Sequence, residues 1–390
     1  MRNLQYIFKS TLIVALLFSA SALMANDGVE KKYNEAIDLV KRLKRVEAKI
    51  ILSEIIKTNP DHAPSYYQRG LIEIHFNNYE DALKDLEQVT RLESEFKKDA
   101  HFEIGLIKVE KGDYKGSIID FTHVLHEDDQ NARAYYLRGK SKYQNNEFES
   151  ALIDYKKAIE LDPTNPKISY DKGLSEMEVE NYNVAIADFT KAIEKDKNFS
   201  NAYFNRANCY FLEGVDPNYP HHHALMKKAL EDYNKALQLN PDLEPAYFDR
   251  GEVKMTLRDY IGAIADFKRA LELKPDDLEA HYLKAVCNMH YGYEDIALGE
   301  FEDILGLDSN YANAQYQIAL IHYEKQDYKK ALNEFDRLMT LEDAHADAYV
   351  YRGYTKIELG DKRGACADFH KADELGDKEA HHDVKKYCTD

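Results

Sequence analysis

A single small residue recurs along almost the whole chain at a nearly fixed interval. It stands at Ala36, Gly70, Gly105, Gly139, Gly173, Ala207, Gly251, Ala285, Ala319 and Gly353, with spacings of 34, 35, 34, 34, 34, 44, 34, 34 and 34 residues. A segment this short cannot bury an apolar face alone, so a period of this length means like units stacked on one another. Twelve residues after most of these positions comes a second small residue: Ala48, Ala82, Ser117, Ala151, Ala185, Ala263, Ala297, Ala331 and Ala365. In the sixth unit it is Ala229, displaced by ten residues. Four positions further on stands a ring or Leu: Leu52, Leu86, Phe121, Tyr155, Phe189, Tyr233, Phe267, Phe301, Phe335 and Phe369. Three beyond that is another apolar residue, from Ile55 and Val89 through Leu338 and Ala372.

Spacings of four and three keep residues on one helical face. Each unit therefore reads as two amphipathic helices. Helix A carries the first small residue; helix B carries the second, the ring and the apolar residue after it. The punctuation agrees. Asn77–Asn78 and Asn145–Asn146 stand where helix A should stop, and Gly112, Gly214, Gly292 and Gly360 occupy the equivalent turn. Glycine adopts positive φ there without steric cost. Helix B ends at Leu161–Pro163, Leu239–Pro241 and Leu273–Pro275, where proline cannot continue a helix.

The pattern resembles the tetratricopeptide repeat (TPR) family from about Val29 to Ala372, most typically between Ala132 and Pro163. The resemblance implies an all-α fold: a right-handed superhelical α-solenoid of about ten TPR helical hairpins plus a C-terminal capping helix. It also implies a concave surface lined by helix A that binds peptides or proteins. The expected organisation is a signal peptide at 1–25, a solenoid over 29–376 with an insertion at about 215–227, and a closing helix and tail over 377–390. The first hairpin, Val29 to Pro60, lacks the aromatic pattern in helix A and reads as a cap.

Residues 1–25 read as an export signal. Arg2 and Lys9 precede a short apolar stretch from Leu12 to Phe18, and small residues follow. Cleavage after Ala25 is the first choice and after Ala22 the second; the alternative is an uncleaved signal anchor. No later segment is apolar enough to span a bilayer. Loss of the two cations takes the formal charge from -18 to -20. That balance excludes binding to a phosphate backbone as the main task. The expected location is the periplasm of a Gram-negative bacterium, with an extracellular location as the alternative.

An aromatic stripe lies three residues before the small residue of helix A: Tyr67, Phe102, Tyr136, Tyr170, Phe204, Phe248, Tyr282 and Tyr316. In the TPR family this position tends toward the concave side. Four residues after the small residue stand Tyr143, Met177, Phe211, Met255, Met289 and Tyr323, among others. Tyr rings combine contact area with a polar handle, and Met adapts to irregular partners. Together these residues form a candidate groove for a peptide. The alternative is ordinary packing between adjacent A helices.

Arg69, Arg138, Arg206, Arg250 and Arg352 directly precede the small residue. In the same units Asp85, Asp154, Asp232, Asp266 and Asp368 directly precede the ring of helix B. Lys172 stands opposite Asp188 and Lys284 opposite Glu300; Asp120 has Ile104 where Arg would be. These pairs read as salt bridges within a hairpin, not as catalytic carboxylates, because they recur. Three adjacent histidines in the insertion, His221 to His223, cannot easily converge on one ion, so no metal and no cofactor are expected. Cys209 and Cys287 read as buried free thiols. Cys366 and Cys388 fall at the ends of two antiparallel helices, where a bridge would staple the terminus; two unpaired cysteines in a helical cap are the alternative.

No HExxH, phosphate-binding Gly loop, GxSxG or CxxC occurs. The expected function is therefore a non-enzymatic exported scaffold or adaptor that binds a protein or peptide segment and no nucleic acid. Two alternatives are a module that recruits a hydrolase or envelope machine to its substrate, and an enzyme with a site in the insertion loop. The TPR family also includes a clamp for C-terminal carboxylates built from Lys, Arg and Asn. Asn205 and Asn208 lie in the right kind of place, but no set of Lys and Arg stands beside them.

Overall fold

A computed structural model of the chain describes residues 27–92, 94–216, 219–341 and 346–388. The expected signal peptide and both cleavage positions lie outside the described residues. Those residues form helices and turns with no strand, as ten helical hairpins and a closing helix. They fall into two compact units, one ending at Lys195 and the other beginning at Asp196. The boundary thus falls between the fifth and sixth hairpins, not at the insertion.

The N-terminal unit pairs α1 (27–41) with α2 (Arg45–Thr58), α3 (Ala63–His75) with α4 (Tyr79–Arg91), and α5 (Lys97–Glu110) with α6 (Tyr114–Glu127). It continues with α7 (Ala132–Gln144) and α8 (Phe148–Leu161), then α9 (Pro166–Glu178) and α10 (Tyr182–Lys195). The C-terminal unit pairs α11 (Ser200–Gly214) with α12 (His222–Leu239), α13 (Glu244–Thr256) with α14 (Tyr260–Leu273), and α15 (Leu278–Tyr291) with α16 (Glu294–Leu307). Then come α17 (Ala312–Glu324) and α18 (Tyr328–Leu341), α19 (Ala346–Glu358) and α20 (Lys362–Glu374), and the closing helix α21 (Lys378–Tyr387). Within each unit every B helix packs on its own A helix and on the next helix of the unit, α2 meeting α1 through the cluster of Ala36, Ala48 and Leu52.

The core lies where the repeat places it. Phe121, Phe189, Phe267, Phe301, Phe335 and Phe369 are fully buried, as are Tyr155 and Tyr233. The small residue on helix A makes room for these rings. A Cβ at Gly353 would stand 2.6 Å from the Phe369 ring. Where the position is Ala, at Ala207, Ala285 and Ala319, the facing ring is still buried, so a slight shift of the ring absorbs the methyl.

The Arg–Asp pairs form in all five hairpins. Each Arg uses Nε and one terminal nitrogen to donate to both oxygens of its Asp at 2.5–3.0 Å. The structure adds two contacts to this pair. Arg69, Arg138, Arg250 and Arg352 also donate to Ser53, Thr122, Asn234 and Asp336 on the B helix of the preceding hairpin, at 2.6–3.1 Å. One guanidinium thus joins three helices, its planar fork gripping the Asp with two N–H groups and keeping a third for the preceding hairpin. Above each Arg lies a Tyr ring three residues earlier: Tyr66, Tyr135, Tyr203, Tyr247 or Tyr349, at 5.3–5.8 Å. Hairpins without Arg find substitutes. Asp120 accepts from His101 at 2.8 Å and Lys108 at 2.6 Å, and Glu334 from Gln315 at 2.6 Å.

Two expectations need correction. Gly214 is not a positive-φ turn residue: it is the last residue of α11, buried, and a Cβ there would meet Leu225 at 2.8 Å. Its role is close approach. The insertion at 215–227 is not all loop, because α12 starts at His222 and runs for 18 residues. His222 is buried and donates through Nδ1 to the Gly214 carbonyl at 2.6 Å, which ties the extra turn to the end of α11. Elsewhere the turn between helices A and B uses left-handed residues of mixed type: Asn77, Asn146, Gly112, Gly292 and Gly360, but also Leu43, Glu180, Arg258 and Gln326.

At the C-terminus, Asp377 caps α21 by accepting from the Ala380 amide at 2.8 Å. A disulfide joins Cys366 on α20 to Cys388 after α21, with Cα atoms 5.5 Å apart. Cys209 and Cys287 are free and buried, and burial pushes both thiols up to about 12.

Candidate partner-binding face

Helices A carry the candidate face. All eight residues of the aromatic stripe are half-buried, and each rests its inner side on the core. Phe102, Tyr136, Tyr170, Phe204, Phe248, Tyr282 and Tyr316 lie 5.6–6.3 Å from the buried ring of their own hairpin, tilted or edge-on. Tyr67, whose hairpin has Leu86 in place of a ring, stacks on Phe96 at 5.2 Å. Every stripe residue therefore has a packing role, and its outer side forms the surface. The second row is also half-buried: Tyr143 lies edge-on to Phe148, Tyr323 edge-on to Tyr328, and Met177, Phe211, Met255 and Met289 complete it.

Successive A helices are tied across this face. From α7, the Tyr136 hydroxyl donates to Asp171 at 2.8 Å and the Tyr143 hydroxyl to Glu178 at 3.1 Å, both on α9. Gln317 on α17 donates to the Tyr282 hydroxyl of α15 at 3.4 Å. Tyr351 on α19 packs edge-on against Tyr316 and Tyr323 on α17. Burial and nearby acids raise the phenols, Tyr67 and Tyr143 to about 12, so they stay protonated and act as donors. A cavity of about 140 Å³ lies on this face among Lys140, Tyr143, Gln144, Tyr155, Asp171 and Leu174.

The residue two positions before the small one was not singled out from the sequence. It carries the face's electrostatics at Glu103, Asp171 and Asp249. Burial raises all three carboxyls above the ordinary range. In the N-terminal unit cations oppose this: Arg133 beside Glu103, Lys140 and Lys167 beside Asp171. Arg133 also lies over the Phe102 ring at 4.9 Å and Lys140 over Tyr136 at 5.7 Å. In the C-terminal unit no cation among the described residues opposes the rise at Asp249. Asp249 rises to about 7 through burial and then the charge of Glu252, against a hydrogen bond from Asn208. Glu252 is raised by burial and then by Glu279 on α15.

Tetratricopeptide-repeat family models match residues 63–96, 132–165, 170–217 and 248–312. This chain is a tetratricopeptide-repeat protein. No curated protein matches it at a significant level. Among solved structures, the C-terminal part of a TPR repeat-containing protein from Cytophaga hutchinsonii is 21% identical. That match covers 64% of this chain and 97% of the other, with a TM-score of 0.53, and it shows the fold. A tetratricopeptide repeat protein from Parabacteroides merdae is 22% identical, covering 66% of this chain and 98% of its own, with a TM-score of 0.47. YrrB, described as a TPR protein with an unusual peptide-binding site, is 26% identical over 51% of this chain and 97% of its own, with a TM-score of 0.41.

This TPR protein is a protein–protein interaction scaffold. Among the described residues, no group of three or more His, Cys, Asp or Glu is placed to hold a metal ion. No helix among them is long and apolar enough to cross a membrane. Of the three insertion histidines, His221 and His223 are exposed and His222 is turned inward. Asn208, considered above as part of a carboxylate clamp, instead accepts from the Tyr233 hydroxyl at 2.5 Å and bonds Asp249.

Proposed function

We propose that this TPR protein is an exported scaffold, periplasmic in a Gram-negative cell, that holds a segment of another protein along its A-helix face. One observation carries the reading. A continuous row of half-buried rings and methionines in each unit has its inner side fixed by the core and its hydroxyls tied to the next helix. Such a face is ordered before a partner arrives, so little conformational entropy is lost on binding. Export is supported by the character of residues 1–25. The Cys366–Cys388 bridge supports it too, since such bonds persist in oxidising compartments.

The test is site-specific photo-crosslinking in the native cell. A crosslinking residue at Met177 or Met289 should capture a defined partner chain. The same residue at Ile153, exposed on α8, should not. Equal capture from both places, or none from the methionine positions, would sink the reading.

A further inference from the structure

We infer that the A-helix face of the C-terminal unit takes a partner segment bearing a Lys or Arg side chain, whose head group lies against Asp249 and Glu252. The inference rests on the partner-binding reading of that face and names the chemistry it selects.

The argument begins with where the cations go. Helices α11, α13, α15, α17 and α19 contain six Lys and Arg residues: Arg206, Arg250, Lys254, Lys284, Arg352 and Lys356. All six are engaged by helix B carboxylates: Asp232, Asp266 (twice), Glu300 and Asp368 (twice). None remains for the outer face. On the same helices, Glu244 and Glu252 of α13 act on Asp249, and Glu279, Asp347 and Glu358 act on Tyr282, Tyr316 and Tyr323 of the face; Glu244, at the start of α13, has Lys274 beside it. Asp249 and Glu252 stand one turn apart on α13, so both point to one side. Glu279 approaches Glu252 from α15. Among the described residues neither Asp249 nor Glu252 has a cationic neighbour.

The surroundings then narrow the occupant. Phe248 and Met255 on α13 flank the two carboxylates, and Tyr282 follows on α15. A long aliphatic stem can lie on these apolar surfaces while its charged end reaches the carboxylates, and a ring face adds attraction for the cation. A bare metal ion fits less well, because no described cluster is placed to ligate one. An acidic segment meets like charge throughout. Two half-buried carboxylates without a counter-charge are costly, and an arriving cation relieves that cost in return for its own partial desolvation.

The experiment pans a random peptide library, displayed on phage, over the immobilised full chain at low salt. It is repeated on the Asp249→Asn/Glu252→Gln double variant. That variant keeps the shape and removes repulsion, so it should fold at least as well as the parent. The expected result is enrichment of Lys or Arg flanked by apolar residues. A synthetic peptide of the enriched sequence should lose at least about tenfold in affinity on the double variant. It should also weaken as salt rises. Enrichment without Lys or Arg overturns this inference and leaves the groove reading standing. Basic enrichment that the double variant retains places the cation elsewhere and also overturns it. No enrichment of any sequence overturns both readings. Self-association abolished by the same substitutions would put a second copy on the face and overturn the inference of a separate partner.

Discussion

The two units are built from the same hairpin, five times each, yet their A-helix faces are not electrically alike. Both half-bury carboxylates two residues before the small position. The N-terminal unit sets Arg133, Lys140 and Lys167 beside its own. The C-terminal unit commits its A-helix cations to helix B and leaves Asp249 and Glu252 facing one another. The inner sides follow one plan in both units: a buried ring or Leu from helix B, and in two hairpins of the first unit and three of the second the same Arg–Asp pair. The repeat therefore fixes the scaffold and leaves the outer face free to differ. A stack of this kind separates the residues that hold it together from those that distinguish one stretch of surface from another.

Several measurements break or sharpen this contrast. The largest effect should come from the feature that only the C-terminal unit has. Cys366→Ser/Cys388→Ser should cost about 3 kcal/mol at the closing helix. Hydrogen exchange would show it as lost protection in α21 and α20, with α3 to α8 unchanged; a uniform loss along the chain would contradict the division into two units. Next, Arg138→Met and Arg250→Met should each destabilise by about 2–3 kcal/mol in urea melts, since each leaves a buried Asp with only its Lys partner. Unequal losses would show that the inner sides differ as well.

Asp249→Asn tests the outer face by its pH dependence. The folded carboxyl titrates near 7 against an ordinary value of 3.8. A raised carboxyl destabilises the fold in its charged form. The penalty is absent below the unfolded value, grows between the two, and levels off above the folded one. The groups that face this carboxyl are Glu244 and Glu252 on its own helix, Asn208 on α11 and Tyr233 on α12, with Glu279 of α15 acting through Glu252. The substitution should thus stabilise by roughly 2 kcal/mol at pH 8, after allowance for partial solvent contact. The gain should vanish near pH 4. A gain independent of pH in thermal melts would refute the buried-charge account. The smallest effect should be common to both units. Glu180→Gly and Arg258→Gly relieve left-handed turn residues with φ of 59° and 61°, and each should add about 0.5–1 kcal/mol in the same melts.

Much of this was legible before any coordinates. The interval between small residues, the ring four positions after the second one, and the Arg–Asp co-occurrence placed the hairpins and the core. A further signal was present and went unread. Tyr66, Tyr135, Tyr203, Tyr247 and Tyr349 occur in the same five hairpins as the Arg, and nowhere else at that register. Their role as a cover for the guanidinium follows from that coincidence. The aromatic stripe was visible too, but its double character was not, because a half-buried ring and an exposed one share the same helical register. Gly214 misled for a similar reason. A glycine near a helix end serves a left-handed turn or a close approach, and the ten-residue insertion changed which of these applied.

The sequence by itself determined the local and periodic facts: which residues are helical, which face is apolar, and which charges accompany which. Helix periodicity and hairpin packing are short-range, and ten copies repeat the message. Only the tertiary structure decided what happens between hairpins. It showed that one Arg reaches the preceding B helix, that a Tyr hydroxyl binds the next A helix, and that α12 starts inside the insertion. It also showed which carboxylates meet a cation and which do not. Those outcomes depend on distances between residues 8 to 35 apart in the chain, and on how far water is excluded from each pair. No local pattern of letters carries either quantity.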